Sequence, residues 1–143
     1  MRHLCLLGLL LLAPLHAVAR SAEVCPALPA GSGLEWSYTE GPDFDVCRAH
    51  ASGSDVLAFG IYLGNHPSFD PSDATRIGKG KVAGRRVTWY IQEPHGAAAL
   101  SRQTLLTLDR KWRYVAHIWV AASTEQQLQH HLSVLERIVF KAP

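Results

Sequence analysis

Residues 114–121, Tyr-Val-Ala-His-Ile-Trp-Val-Ala, decide the fold of this chain. Side chains alternate between the two faces of a strand, and here both sets are mostly apolar. The stretch is rich in β-branched and aromatic residues, which is typical of a central strand covered on both faces. A polar connection of hairpin length, residues 109–112, precedes it. The sequence therefore predicts a hairpin with strands at residues 101–108 and 113–122.

An amphipathic helix is predicted directly after this hairpin, over residues 125–140. Ser123 with Gln126, or Thr124 with Gln127, has the spacing of a capping box at its start. The helix is expected to fold back onto the sheet and bury one apolar stripe, so a charge at Leu132 or Leu135 should unfold the domain. That stripe comprises Leu128, Leu132, Leu135, Ile138 and Val139.

The segments before the hairpin carry five further strand patterns. Strands followed by a segregated helix predict an α+β domain, with an antiparallel sheet of about seven strands packed against one C-terminal helix. A curled sheet closed into a small barrel is the main variant. Trp36, Trp89 and Trp119 are expected in the core. The five strands are predicted at residues 34–39, 44–49, 55–63, 76–82 and 85–92, a single helical turn at 97–99, and the longest loop at 64–75.

The first 19 residues have the pattern of a cleaved secretory signal peptide. A short positive start precedes a leucine-rich run, and Ala17-Val18-Ala19 matches a small-residue cleavage site. The leucine-rich run is too short for a permanent membrane anchor, and no later stretch is long enough. We therefore expect an exported protein, located in the periplasm or alternatively in the extracellular space, with an N-terminal arm at residues 20–33 and one domain at 34–143.

Cys25 and Cys47 are the cysteines that follow the predicted signal peptide. Two cysteines in an oxidising compartment most often pair, and two buried thiols are the alternative. The predicted disulfide ties the N-terminal arm to the second strand. By chain entropy, closing that loop stabilises the fold by about 3 kcal/mol.

Charge is segregated along the chain. Residues 20–75 contain eight acids and two bases, whereas residues 76–143 contain eleven bases and four acids. Two basic clusters predict a surface for an anionic envelope component or a protein partner. Alternatively, acidic and basic strands lie side by side and cancel, or the cations guard an exposed strand edge. The predicted binding residues are Arg76, Lys79, Lys81, Arg85 and Arg86 in one hairpin, and Arg110, Lys111, Trp112 and Arg113 in the other.

Trp112 is the aromatic member of this set. Flanked by Lys111 and Arg113 in a turn, it is expected to be exposed, and an exposed Trp beside cations is a good candidate for a binding hot spot. Nucleic acid is a poor candidate partner, because the chain lacks the interleaving of aromatic and basic residues that strand binders use.

Catalytic and metal motifs are weak in this sequence. The loop at residues 64–75 holds His66, Asp70 and Asp73, and His95 follows later, but no recognisable ligand spacing links them. His117 is expected to be a core histidine held by one hydrogen bond rather than a base with a catalytic role. No catalytic residue, metal or cofactor is predicted.

Three functions follow in order of preference. The first is a non-catalytic, exported binding or accessory module that uses the two basic clusters. The second is a small disulfide-stapled inhibitor whose loop at residues 64–75 plugs an enzyme's active site. The third is a hydrolase or metal-dependent enzyme that uses His66, Asp70, Asp73 and His95 from and beside that loop.

Overall fold

The protein folds as a seven-stranded sheet with one helix, seen in a computed structural model that describes residues 23–73, 75–91 and 100–141. The predicted signal peptide and the helical turn expected at residues 97–99 lie outside the described residues. The elements are β1 (Leu34–Glu40), β2 (Phe44–Ala51), β3 (Leu57–Gly64), a 3₁₀ turn (Pro71–Asp73), β4 (Thr75–Val82), β5 (Arg85–Ile91), β6 (Arg102–Asp109), β7 (Tyr114–Val120) and α1 (Glu125–Arg137).

All seven strands belong to one antiparallel sheet in the order β1-β2-β3-β7-β6-β5-β4. The predicted α+β class is confirmed, and β7 occupies the middle of the sheet as its two apolar faces indicate. β1 and β4 form the two edges and do not pair with each other, so the sheet is open. The closed-barrel variant is therefore wrong.

One face of the sheet, the inner face, is covered by α1 and forms the core. Alternation places Phe59 opposite Val120 and Ile61 opposite Ile118 on this face. The N-terminal arm lies here too, because Cys25 is bonded to Cys47 of β2 and the Trp36 indole donates to the Pro26 carbonyl at 2.8 Å. The buried core comprises the disulfide, Ala49, Ala58, Phe59, Ile61, Leu63, Val82, Val87, Trp89, Leu106, Ala116, Ile118, Val120, Leu128, Val134, Leu135 and Ile138.

The helix begins where the capping pattern predicts and ends earlier. Thr124 is the N-cap, and its hydroxyl accepts from the Gln127 N–H at 3.2 Å. The Gln127 side chain accepts from the Ser123 N–H at 2.9 Å, one residue before the expected partner. After Arg137 the chain becomes extended, and Val139 pairs with Ala27 of the N-terminal arm. Val139 is consequently exposed, so its place in the predicted apolar stripe is wrong.

The tip of the β4–β5 hairpin is fastened to the end of this helix. Ala83 and Gly84 both have positive φ, 49° and 70°, as a tight hairpin turn between twisted strands requires. Their N–H groups donate to the Leu135 and Glu136 carbonyls, each at 2.9 Å. The turn thereby satisfies two of the carbonyls that every helix leaves open at its C-terminal end.

The outer face of the sheet is covered in part by the loop between β3 and β4. Phe69 of this loop is 7% exposed and stacks on His117, with ring centroids 5.1 Å apart. Trp119 also lies on this face, over Gly60 of the neighbouring strand, where an added Cβ would collide with the indole. Trp119 is therefore half-buried opposite the helix, and the expectation that it joins the core beside Trp36 and Trp89 is wrong.

Candidate functional site

The cations of the β4–β5 hairpin are distributed by strand alternation. Arg76 lies opposite Tyr90, Lys79 opposite Thr88, and Lys81 opposite Arg86. These residues share the outer face, because Val87 and Trp89 between them point into the core. The hairpin contains no acid, so its outer face is uniformly positive. We call Arg76, Lys79, Lys81 and Arg86 on this face the basic edge.

Lys81 and Arg86 form a like-charge pair directly across the hairpin. Like charges in this position destabilise a β-hairpin. The Glu136 carboxylate of α1, 3.3 Å from the Lys81 ammonium, offsets part of this repulsion, and an anion bound near Arg86 would offset more of it.

Two of the hairpin cations have structural partners. The Lys81 ammonium lies 3.3 Å from the Glu136 carboxylate of α1, and both side chains are about half exposed. The Arg85 guanidinium donates to the Thr107 carbonyl of β6 at 2.6 Å. In contrast, Arg76, Lys79 and Arg86 are exposed and have no ion pair within the described residues.

The second predicted cluster, in the β6–β7 turn, lies at the same end of the sheet as the tip of the hairpin. Strands β4 to β7 form an antiparallel meander, so alternate turns emerge at the same end. The Arg85 contact to Thr107, two residues before the end of β6, links the two clusters. Arg110, Lys111, Trp112 and Arg113 are all exposed, and the Asp109 carboxylate holds their turn by accepting from the Trp112 N–H at 2.9 Å.

The acidic strands lie at the other edge of the sheet. Residues 34–51, which form β1, β2 and their turn, contain four acids and one base. Three strands separate them from the β4–β5 hairpin. The alternative that charges of neighbouring acidic and basic strands cancel is therefore wrong for the two edge hairpins. The other alternative, that cations protect an exposed strand edge, agrees with the position of β4 at the edge of the sheet.

The loop residues considered for metal binding or catalysis do not form a cluster. The Asp70 carboxylate accepts from the Ser72 N–H at 2.9 Å and its hydroxyl at 2.8 Å, and these bonds lower the pKa of Asp70. His66 lies 3.7 Å from Asp43. In the part of the chain that the structure describes, which leaves out His95, no three His, Cys, Asp or Glu side chains converge as metal ligands.

His117 is a buried histidine with one hydrogen bond, as expected. It is 8% exposed, and its Nε2 lies 3.2 Å from the Gln103 side-chain oxygen. Removal from water lowers its pKa from 6.5 to about 4, so the ring is neutral near pH 7. No nucleophile contacts it among the described residues, and its neighbours are the rings of Phe69 and Trp119.

The sequence does not predict a groove that lies beside the β6–β7 turn. A cavity of about 430 Å³ opens at this end of the inner face, and Trp112, 66% exposed, forms its rim. We call this cavity the aromatic groove. Asp45, on the same face as Cys47 and Ala49, is an acid at a position of β2 that otherwise points inward. An acid at an inward-pointing position of a strand is the feature of the sequence that could have indicated this groove. The lining residues are Glu23, Val24, Asp45, Leu63, Asn65, Leu108, Asp109, Trp112, Tyr114, Phe140 and Lys141.

A larger cavity, about 610 Å³, lies at the opposite end of the sheet between the start of β6 and the start of α1. His131 lines it and lies 2.9 Å through Nδ1 from the Ala121 carbonyl. Burial lowers the pKa of His131. The walls are mostly small or apolar, and Arg102 is the one charged side chain among the described residues that line it.

No protein-family model, no curated protein and no solved structure matches this chain. Among the described residues, none of the helices has the length and apolar character needed to cross a bilayer. The function must therefore be argued from the surfaces themselves.

Proposed function

We propose that the protein is an exported, non-catalytic binding module that holds an anionic partner on the basic edge. The unpaired cations of the basic edge carry this proposal: Arg76, Lys79 and Arg86 are exposed on one face and have no ion pair within the described residues, so all three can contact an anion. The partner is an anionic envelope component or an acidic protein surface. Arg110, Lys111 and Arg113 extend the positive surface at the same end of the sheet.

Export is part of the proposal and rests on the first 19 residues together with the disulfide. Disulfides persist in oxidising compartments, which agrees with a bond between Cys25 and Cys47. The leucine-rich start and the small-residue cleavage site would direct the chain to export as a signal peptide, and the periplasm is the compartment we propose.

The inhibitor alternative has less support. A loop that plugs an active site projects from its scaffold, whereas Phe69 anchors the loop at residues 64–73 to the outer face through His117 and Tyr90. The enzyme alternative has less support as well, because Asp70 is engaged by its own turn and His66 contacts only Asp43 among the described carboxylates.

The test separates the free cations from those that hold the fold. The variant R76Q/K79Q/R86Q removes three exposed cations without touching Lys81 or Arg85, whose contacts tie the hairpin to α1 and β6. We expect its affinity for dextran sulfate, measured by titration calorimetry, to fall roughly tenfold or more and its salt dependence to weaken.

The matched control is R48Q/R137Q/K141Q, which lowers the net charge equally at other places. Its affinity should stay within about twofold of the wild type if the basic edge is the site. Equal losses in both variants would mean that binding follows net charge alone, and the proposal would be abandoned. Binding that does not respond to salt would count against it equally.

A further inference from the structure

The aromatic groove has a chemistry opposite to that of the basic edge. Three carboxylates line it, from Glu23, Asp45 and Asp109, against the single ammonium of Lys141. Neither Asp45 nor Asp109 forms an ion pair within the described residues. The groove therefore presents net negative charge beside apolar walls, although it adjoins the most basic turn of the chain.

The carboxylates are held in place by neutral donors. Asp45 accepts from the Tyr38 hydroxyl, and Asp109 accepts from the Trp112 N–H at 2.9 Å. In each case the accepting atom is Oδ1 of the carboxylate. Burial raises the pKa of Tyr114, and the nearby charge of Asp45 raises it further, so the negative potential of Asp45 reaches the wall of the groove.

The aromatic walls suit the same kind of ligand. Trp112, Tyr114 and Phe140 line the groove from the β6–β7 turn and the C-terminal tail. Ring faces attract cations, most strongly the indole. The Lys111 ammonium, 5.1 Å from the centre of the Trp112 ring, is a competing cation that a ligand on this ring would have to displace. Aromatic rings together with carboxylates are the chemistry that recognises organic ammonium groups.

We infer that the aromatic groove binds a small organic ammonium ion, with its charge toward Asp45 and Asp109 and its carbon substituents against Trp112, Tyr114 and Phe140. A volume of about 430 Å³ is within the range of small-molecule sites. This site goes beyond the proposed function, because its ligand has the opposite charge and lies on the inner side of the sheet.

The experiment compares choline with 3,3-dimethylbutan-1-ol, which has the same shape but carbon in place of the charged nitrogen. The indole N–H signal of Trp112, assigned with W112F, reports binding in an NMR titration of the mature protein. We expect saturable shifts with choline and at least tenfold weaker binding of the neutral isostere. Equal binding of the two compounds, or no saturable shift with choline, would overturn the inference.

Single substitutions test whether the Asp45 and Asp109 carboxylates attract the ammonium group. D45N and D109N keep a side-chain oxygen for Tyr38 and for the Trp112 N–H, so the groove should keep its shape. Each should bind choline about tenfold more weakly, the effect of losing roughly 1.4 kcal/mol. D55N changes net charge equally at the far end of the sheet and should bind like the wild type. If D55N weakens choline binding as much as D45N and D109N do, the groove is not the site. Dextran sulfate binding by D45N should be unaffected, which separates this site from the basic edge.

Discussion

The two edge hairpins of the sheet have the same architecture and opposite chemistry. β1–β2 is acidic and β4–β5 is basic, with three strands between them. They are also fastened differently: the Cys25–Cys47 bond holds β2, whereas the tip of β4–β5 is held by hydrogen bonds to α1 and by buried side chains. The acidic edge and the basic edge of this open sheet therefore have separate anchors.

The largest expected effect is on the anchor of the basic hairpin. Leu135 is fully buried and its carbonyl accepts from the Ala83 N–H. Leu135→Asp leaves a carboxylate in the core and should cost more than about 4 kcal/mol, enough to unfold the domain in circular dichroism. Leu132→Asp, at a partly buried position, should cost less. A folded L135D protein with native stability would disprove the packing described for α1.

The anchor of the acidic hairpin comes next. Because the bond closes 22 residues, C25S/C47S should lose about 3 kcal/mol in urea unfolding. Reductant should have little effect on the unfolding of the variant and a large effect on that of the wild type. A loss below about 1 kcal/mol would show that the N-terminal arm holds β2 without the bond.

His117 of the central strand β7 makes the free energy of unfolding depend on pH. Between pH 6.5 and about 4, the unfolded chain binds a proton at His117 that the native protein does not. The free energy of unfolding should therefore fall as the pH falls through this window, by on the order of 2 kcal/mol after some solvent screening, and level off below it. The difference between the pH profiles of the wild type and H117Q removes the contribution of the carboxylates, because both proteins contain the same ones. Identical profiles for the two proteins would refute a buried neutral His117.

The N-terminal end of α1, far from the basic hairpin, is stabilised by the N-cap residue Thr124. Thr124→Ala removes the hydroxyl that accepts from the Gln127 N–H and should cost about 1 kcal/mol in urea unfolding. Ser123→Ala is the matched control, because Ser123 contributes its backbone N–H to the cap. If the two variants lose equal stability, the cap has been assigned to the wrong residue.

The smallest effect concerns the ion pair at the basic edge. Lys81 and Glu136 are 3.3 Å apart and about half exposed, so a double-mutant cycle with K81A and E136A should give a coupling below about 1 kcal/mol. A larger coupling would mean that the pair, rather than the Ala83 and Gly84 hydrogen bonds, fastens the hairpin.

Local patterns predicted the elements well, because alternation and capping act over neighbouring residues. The central position of β7, the β4–β5 turn, the cap at Thr124 and the disulfide are confirmed. Alternation places Trp119 on the face opposite Ile118 and Val120, but which of these two faces the helix covers was not predictable, since both are mostly apolar. Val139 follows the helical spacing but pairs with Ala27 instead.

The surfaces depend on strand order, which single-sequence patterns do not specify. The sequence does not indicate whether the acidic and basic strands are neighbours in the sheet, and the strand order shows that the two edge hairpins are far apart. The aromatic groove was missed for the same reason: Asp45, Tyr114 and Phe140 are distant in sequence and meet at one end of the inner face. The local sign of the groove in the sequence is the acid at position 45, on the inward-pointing face of β2, and its meaning becomes clear only once the strand order is known.

Mapping a bound polyanion onto the two edges tests the central claim most directly. Backbone amide shifts of the protein, followed during a titration with low-mass dextran sulfate, compare β4–β5 and β1–β2 in one sample. We expect the largest changes at Arg76, Lys79 and Arg86, smaller ones in the β6–β7 turn, and none along β1. Shifts of equal size at both edges, or shifts concentrated on β1 and β2, would contradict a basic edge that serves as the binding surface.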